Sequence, residues 1–275
     1  MAGMSISEME EMARKCRIEI CKMTHRAQAG HPGGSLSEID ILCGLYGHRL
    51  RVKPGDPDWE DRDRFILSKG HASPGMYAVL AEMGFISHED LKSYRVKGGV
   101  CQGHVDMKWC PGVDFSAGSL GMGLSFGMGC AVAAKLDGSS RNAYVMVGDG
   151  EIQEGSVWEA AMAATHHELG NLKLFVDCNG IQNDDFCEAQ MRMFDIPAKW
   201  NAFGWAVKVI DGHDMSSIVE AIDWMDSIQD KPAVVIANTI KGKGVSFMEN
   251  NPAFHGAAPS DEQLAQALSE LGVEA

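Results

Sequence analysis

Four near-continuous apolar runs constrain this chain more than any other feature. They are AYVMVG (residues 143–148), LKLFVDC (172–178), AVKVI (206–210) and AVVIANT (233–239). Strands apolar at nearly every position are buried on both faces, as parallel strands covered by crossover helices are. The intervening segments supply such helices. Ser156-x-x-Glu159 opens one expected to reach about Glu168, and Asp214 opens another to about Ile228. The alternation predicts an α/β fold, a parallel sheet with helices on both faces.

The first half reads less regularly. Ser5-x-x-Glu8 is a capping box for an amphipathic helix to about Gln28. A Gly/Pro-rich loop, AGHPGGSLSEID, precedes a second helix expected from Ser37 to about His48. Residues 51–64 read as a polar loop, FILS (65–68) as a short strand, and Gly75 to Met83 as a helix after the turn KGHASP. Residues 94–119 show neither period, and so long a loop, with Gly103-His104 and Trp109 in it, is expected to be ordered and functional. Ser260-x-x-Gln263 begins the last helix. With no repeat, low-complexity tract or linker, residues 1–275 are expected to form one domain, and 45% hydrophobic content fills one large core.

A net charge of -14 argues against binding duplex nucleic acid or anionic membrane. The stretch FSAGSLGMGLSFGMGCAVAA (115–134) is uncharged and long enough to cross a bilayer. Its five glycines and three serines, between Asp114 and Lys135, favour a buried segment of a soluble core. The eight cysteines form no C-x-x-C pair and read as buried thiols of a reducing cytosol. No signal segment opens the chain, so a cytoplasmic location is expected.

The chemistry concentrates between Gly148 and Gln182. This segment reads strand, Asp149, helix, strand, Asn179. Both strands of a parallel β-α-β unit end on one sheet edge, where open α/β sheets bind ligands. Asp149 and Asn179 each offer a hard oxygen, and the Ile181 carbonyl a third. Such a set suits Mg²⁺, with Ca²⁺ or Mn²⁺ as substitutes, and leaves positions for water and a diphosphate. Gly148 and Gly150 allow close approach of the backbone. Taken singly, Gly-Asp-Gly and Asn-Gly are ordinary turns; their pairing across one unit favours the metal. No G-x-G-x-x-G, P-loop or zinc-type histidine spacing competes. Four histidines, His31, His71, His104 and His255, sit in Gly-rich loops where they could orient or protonate a polar ligand. His25, His48, His88, His166 and His167 read as surface or packing residues, and His213 as part of the cap at Asp214.

Together these motifs, AGHPGG, LSKGHASPGMY, GHVD, SAGSLGMGLSFGMG, GDGEIQEG with its Asn, and FHGAAP, resemble the N-terminal diphosphate-binding region of transketolases. The resemblance covers nearly the whole chain and implies the thiamin diphosphate-binding fold. It implies thiamin diphosphate as cofactor, with Asp149, Asn179 and the Ile181 carbonyl on the metal. It places Lys69, His71, Gly118, Ser119, Leu120, Gly148, Gly150, Glu151, Lys241 and His255 at the cofactor, and His31 and His104 toward the sugar. Glu154 would join a carboxylate network between subunits. The sequence departs from the family in GHVD, where many members have Gly-His-Pro-Glu, so the role of Asp106 is open, and at Ser119, where many have Pro. The family's pyrimidine-binding and C-terminal domains would lie on a partner chain, with the glutamate that protonates the aminopyrimidine. The implied enzyme is a split transketolase, an α₂β₂ heterotetramer moving a two-carbon ketol unit from a ketose phosphate to an aldose phosphate. Other readings are the α subunit of a 2-oxoacid dehydrogenase, a deoxyxylulose-phosphate synthase fragment, or an inactive interaction module.

Overall fold

The structure is a computed structural model that describes residues 3–183 and 185–273. Helices α1 (Ile6–Ala27) and α2 (Pro32–His48) lead into strand β1 (Arg64–Leu67) and helix α3 (Ser73–Glu82). Helix α4 (Met122–Leu136), strand β2 (Ala143–Gly148), helix α5 (Gly155–His166) and strand β3 (Leu172–Cys178) follow. A small hairpin, β4 (Ile181–Gln182) and β5 (Asp185–Phe186), precedes short helices α6 (Cys187–Gln190) and α7 (Ile196–Ala202). Strand β6 (Ala206–Asp211), helix α8 (Met215–Ser227), strand β7 (Ala233–Asn238) and helix α9 (Asp261–Glu270) complete the chain.

Among the described residues the main sheet has the order β1-β2-β3-β7-β6, parallel throughout. Alternate strand residues face opposite cores because side chains alternate along a strand. Phe65, Tyr144, Met146, Phe175 and Val235 pack with α1, α2, α3 and α8. Ile66, Val145, Val147, Leu174 and Ile236 pack with α4, α5 and α7. The register pairs Gly148 with Asp177, and Cys178 and Asp211 with Asn238. The residues that follow β1, β2, β3, β6 and β7 therefore emerge along one edge.

The capping boxes at Ser5 and Ser260 and the cap at Asp214 form as the sequence predicts. Four local expectations change. First, α2 begins at Pro32 rather than Ser37, so Gly33 and Gly34 are helical. Proline is preorganised for a first helical position, and a Cβ on Gly33 would lie 2.9 Å from the Phe254 carbonyl oxygen. Ser37 is thus inside the helix, not its cap.

Second, α5 starts at Gly155 with Glu154 as N-cap residue, and the Ser156 hydroxyl instead donates to the Gly121 carbonyl at 3.1 Å. Third, a hairpin does follow Asn179, but its strands are 181–182 and 185–186. Asn179-Gly180 is not its turn; Asp184, between the strands, lies outside the described residues.

Fourth, the apolar stretch 115–134 is only half buried. Gly123 and Gly127 seat α4 on the sheet, where a Cβ would come within 2.4 Å of Ser68 and of Val145. The opposite face of α4 leaves Met122, Phe126 and Leu136 exposed. Among the described residues no helix is long and apolar enough to cross a membrane. All eight cysteines are free, five of them buried.

Candidate active site

The sheet edge opens into a cavity of about 420 Å³. Its lining brings together His31, Lys69, His71, His104, Gly118, Leu120, Gly148, Asp149, Gly150, Glu151, Glu154, Asn179, Ile181, Lys241 and His255. Every site residue singled out from the sequence is present except Ser119. That residue lines a neighbouring groove with Phe115, Met122 and Phe126.

The oxygen donors are held by backbone. Asp149 is buried, its Oδ1 accepting from the Gly150 amide at 2.8 Å and its Oδ2 from the Gly180 amide at 2.6 Å. Gly180, at φ 77°, has the left-handed conformation that suits glycine. Burial, reinforced by the nearby Asp177 carboxylate, raises the Asp149 pKa to about 6. Asn179 accepts from the Ile181 amide at 3.1 Å and donates to Ser37 Oγ and Asp177 Oδ2, both at 3.2 Å. The Ile181 carbonyl accepts from Lys241 Nζ at 3.0 Å. Each oxygen keeps a second lone pair for a cation. Among the described residues no three His, Cys, Asp or Glu side chains converge as a metal site. A cation here would take two side chains and one carbonyl, and the rest of its shell from ligand and water. That composition fits a hard divalent ion carrying a diphosphate.

The two lysines differ. Lys69 Nζ lies 2.5 Å from Asp177 Oδ2, 2.9 Å from Glu38 Oε2 and 3.0 Å from the Gly34 carbonyl. Two of its N–H groups donate to Asp177 and Gly34, and Glu38 lies at ion-pair distance. Lys69 neutralises Asp177, whose other oxygen accepts from the Thr239 hydroxyl, and it holds the floor of the site. Glu38 is fully buried, which raises its pKa to about 8 against the opposing pull of Lys69. Lys241 donates to the Ile181 carbonyl and to His255 Nδ1 at 2.8 Å, which leaves one N–H without a partner among the described residues. Burial lowers its pKa to about 8, with Lys69 adding to the effect.

The four histidines form one cluster. The His31 ring centroid lies 5.1 Å from His71, 5.9 Å from His104 and 5.4 Å from His255. His71 and His255 are 5.2 Å apart. Burial is the main cause that lowers all four pKa values, to about 4 for His31 and about 3 for His255. At neutral pH the cluster is uncharged, each ring offering one donor and one acceptor. His255 accepts from Lys241 on Nδ1, so its own proton sits on Nε2. His31 Nδ1 is buried with no hydrogen-bond partner among the described residues, an unmet demand inside the cavity. The 94–119 loop delivers His104; it is tied down by Val105 N–H to the Gly70 carbonyl and by the Ser73 and Tyr77 hydroxyls, which donate to the Gly103 and His104 carbonyls. Asp106 stays outside, accepting from the Lys108 amide and the Ser116 hydroxyl.

Glu151 lines the cavity but its carboxylate serves the scaffold. It accepts from the Ser68 hydroxyl, the Gly121 amide at 2.8 Å and the Gly148 amide at 3.1 Å. Glu154 is exposed at the rim. His25, His48 and His88 pair with Asp261, Asp223 and Glu82 at the surface. Sequence reasoning missed Glu38 and Asp177. Each had a weak signal, an acid among apolar residues of a predicted helix or strand (SLSEIDIL and LKLFVDC).

Residues 8–275 match the family model described as Transketolase, thiamine diphosphate binding domain. The chain belongs to the transketolase family. It is 40% identical over 245 residues to the 6-deoxy-6-sulfo-D-fructose transketolase subunit of a Clostridium species, covering 89% of each chain. It is 38% identical to an apulose-4-phosphate transketolase subunit from Phocaeicola vulgatus, covering 98% of this chain and 95% of that one. The Campylobacter jejuni transketolase structure superposes with a TM-score of 0.93 at 32% identity, over 98% of this chain and 44% of that one. The chain therefore spans less than half of the full-length transketolases, and nearly all of the relatives named as subunits. It corresponds to the N-terminal, thiamin diphosphate-binding part of a transketolase, and the 2-oxoacid dehydrogenase reading is not favoured.

Proposed function

We propose that this chain is the N-terminal subunit of a thiamin diphosphate- and Mg²⁺-dependent transketolase, transferring a two-carbon ketol unit from a ketose phosphate to an aldose phosphate. The observation that carries the reading is the convergence of Asp149, Asn179 and the Ile181 carbonyl with four uncharged histidines in one cavity. Asp149, Asn179 and Ile181 hold the metal. Gly148 and Gly150 let the diphosphate approach, Lys241 offers it a charged donor, and Gly118 and Leu120 flank the cofactor. When bound, the cofactor supplies the nucleophilic carbon and the electron sink for C–C cleavage. His71 and His255 lie beside the reacting carbon, and His31 and His104 meet the sugar hydroxyls. Neutral imidazoles stabilise a developing alkoxide and move its proton without first giving one up to solvent. Lys69 and Glu151 act one step back, by fixing Asp177 and the loops.

The pyrimidine-binding and C-terminal domains belong to a separate subunit, in an α₂β₂ assembly in the cytoplasm. The exposed Met122 and Phe126 on α4, which line a groove that shares Gly118 with the cavity, support a partner on that side. The net charge of -14 speaks against nucleic acid or anionic membrane as partners. Mixing the chain with its partner, thiamin diphosphate and Mg²⁺ should transfer glycolaldehyde units between sugar phosphates; equal turnover by this chain alone would defeat the split-subunit reading.

A further inference from the structure

We propose that His213 is a positioning residue, held by an Arg17–Asp40 ion pair so that its ring pins the Ile240 amide and fixes Lys241 in the site. The inference rests on the reading of Lys241 as the cation facing the cofactor. His213 comes from the DGHD segment after β6, which the sequence alone assigns to the cap of α8. Asp214 does make that cap, accepting from the Ser216 amide at 3.1 Å. The His213 ring points the other way. Its Nδ1 lies 2.7 Å from Asp40 Oδ2 on α2, and its Nε2 lies 2.8 Å from the Ile240 backbone nitrogen.

The amide can only donate, so Nε2 is the acceptor and the ring proton sits on Nδ1, donated to Asp40. Asp40 in turn receives both ends of the Arg17 guanidinium from α1, at 3.0 and 2.5 Å. Arg17, Asp40 and His213 are 10–11% exposed at their side chains, so water competes little for these bonds. The same arginine returns to the target, its Nε donating to the Lys243 carbonyl at 3.2 Å. The Gly242 amide donates to the Gly33 carbonyl at 3.0 Å, and Asn250 N–H to the Lys241 carbonyl at 2.9 Å. Gly242 sits at φ 83°, where a Cβ would lie 2.2 Å from the Met248 carbonyl oxygen. The 240–243 turn is thus gripped on both sides of Lys241, whose long side chain reaches Ile181 and His255 only from a fixed Cα.

The test is a double-mutant cycle on thiamin diphosphate affinity, measured by calorimetry on the chain assembled with its partner in saturating Mg²⁺, with melting temperature beside it. H213A should weaken binding about tenfold, in the range of supporting-shell losses. H213Q should recover part of it, since its amide oxygen can accept from Ile240. The H213A/K241M variant should bind no more weakly than K241M, because the relay acts through that lysine. If H213A does not assemble, D40N, which loosens the hold on the ring without changing volume, runs the same cycle. Losses that multiply in the double variant, or H213A binding at wild-type affinity, would overturn the relay. K241M binding like wild type would instead overturn the assignment of Lys241, and the relay with it.

Discussion

Replacing Asp149 by Asn separates the cost of burying its charge from its use as a ligand. The carboxyl is buried and its pKa stands at about 6 rather than 3.8. A shift of that size is about 3 kcal/mol of penalty on the ionised form in the cation-free protein. The sign follows from the direction. An unfolded chain ionises this group near 3.8, whereas the folded one resists until about 6. Folding stability from this residue therefore falls as pH rises between those values, by about 1.4 kcal/mol per unit, and is level above pH 6. A divalent cation binds only the ionised form, so its affinity should drop about tenfold per unit below pH 6 and be flat above. Asp149→Asn should abolish the pH dependence and the cation affinity together. Its amide also points a donor at the Gly150 or Gly180 N–H, costing about 1–3 kcal/mol. Calorimetric titration of Mg²⁺ with thiamin diphosphate from pH 5 to 8, on the assembled wild type and variant, reads this out. Affinity flat from pH 5 to 7, or an Asn variant binding Mg²⁺ as tightly, would refute the reasoning.

Lys69→Met leaves Asp177 buried without its counter-charge and should destabilise the fold by about 3–5 kcal/mol in denaturant unfolding. Glu38→Gln should cost little at pH 6, below the Glu38 pKa of about 8, and should flatten the stability loss of the native chain between pH 4.5 and about 8. Gly127→Ala places a methyl 2.4 Å from Val145 Cγ2, so α4 must shift, with a loss of about 1–3 kcal/mol seen as a lower melting temperature. His31 and His255 stay neutral above about pH 4, so the pH–rate profile of kcat/KM should show no limb between pH 5 and 8 that His31→Gln or His255→Gln removes.

The parallel sheet was legible because burial on both faces leaves unbroken apolar runs. The placement of Asp149 and Asn179 followed from parallel pairing alone, since both strands of a parallel β-α-β unit end on one edge. The four histidine loops were legible as a set, though nothing in their spacing showed the other three rings lying within 6 Å of His31. The sequence was least informative where a group's partners decide its role. Lys69 and Lys241 look equivalent in sequence, yet Lys69 is paired with two buried carboxyl groups, whereas Lys241 meets a carbonyl and an imidazole. Glu151 looks like a ligand beside Asp149, yet it faces Ser68 and two amides. The start of α2 was missed because two glycines argue against helix, and close packing on Phe254 and His71 outweighs that propensity. The apolar run in α4 could not say which half of its surface the sheet covers.

The central claim, that this chain supplies the metal and diphosphate half of the site, is tested most directly by diffraction from crystals of the assembled enzyme grown with Mn²⁺ and thiamin diphosphate. An anomalous peak within coordination distance of Asp149, Asn179 and the Ile181 carbonyl is predicted, and a peak elsewhere, or none at these oxygens with the cofactor bound, would contradict it.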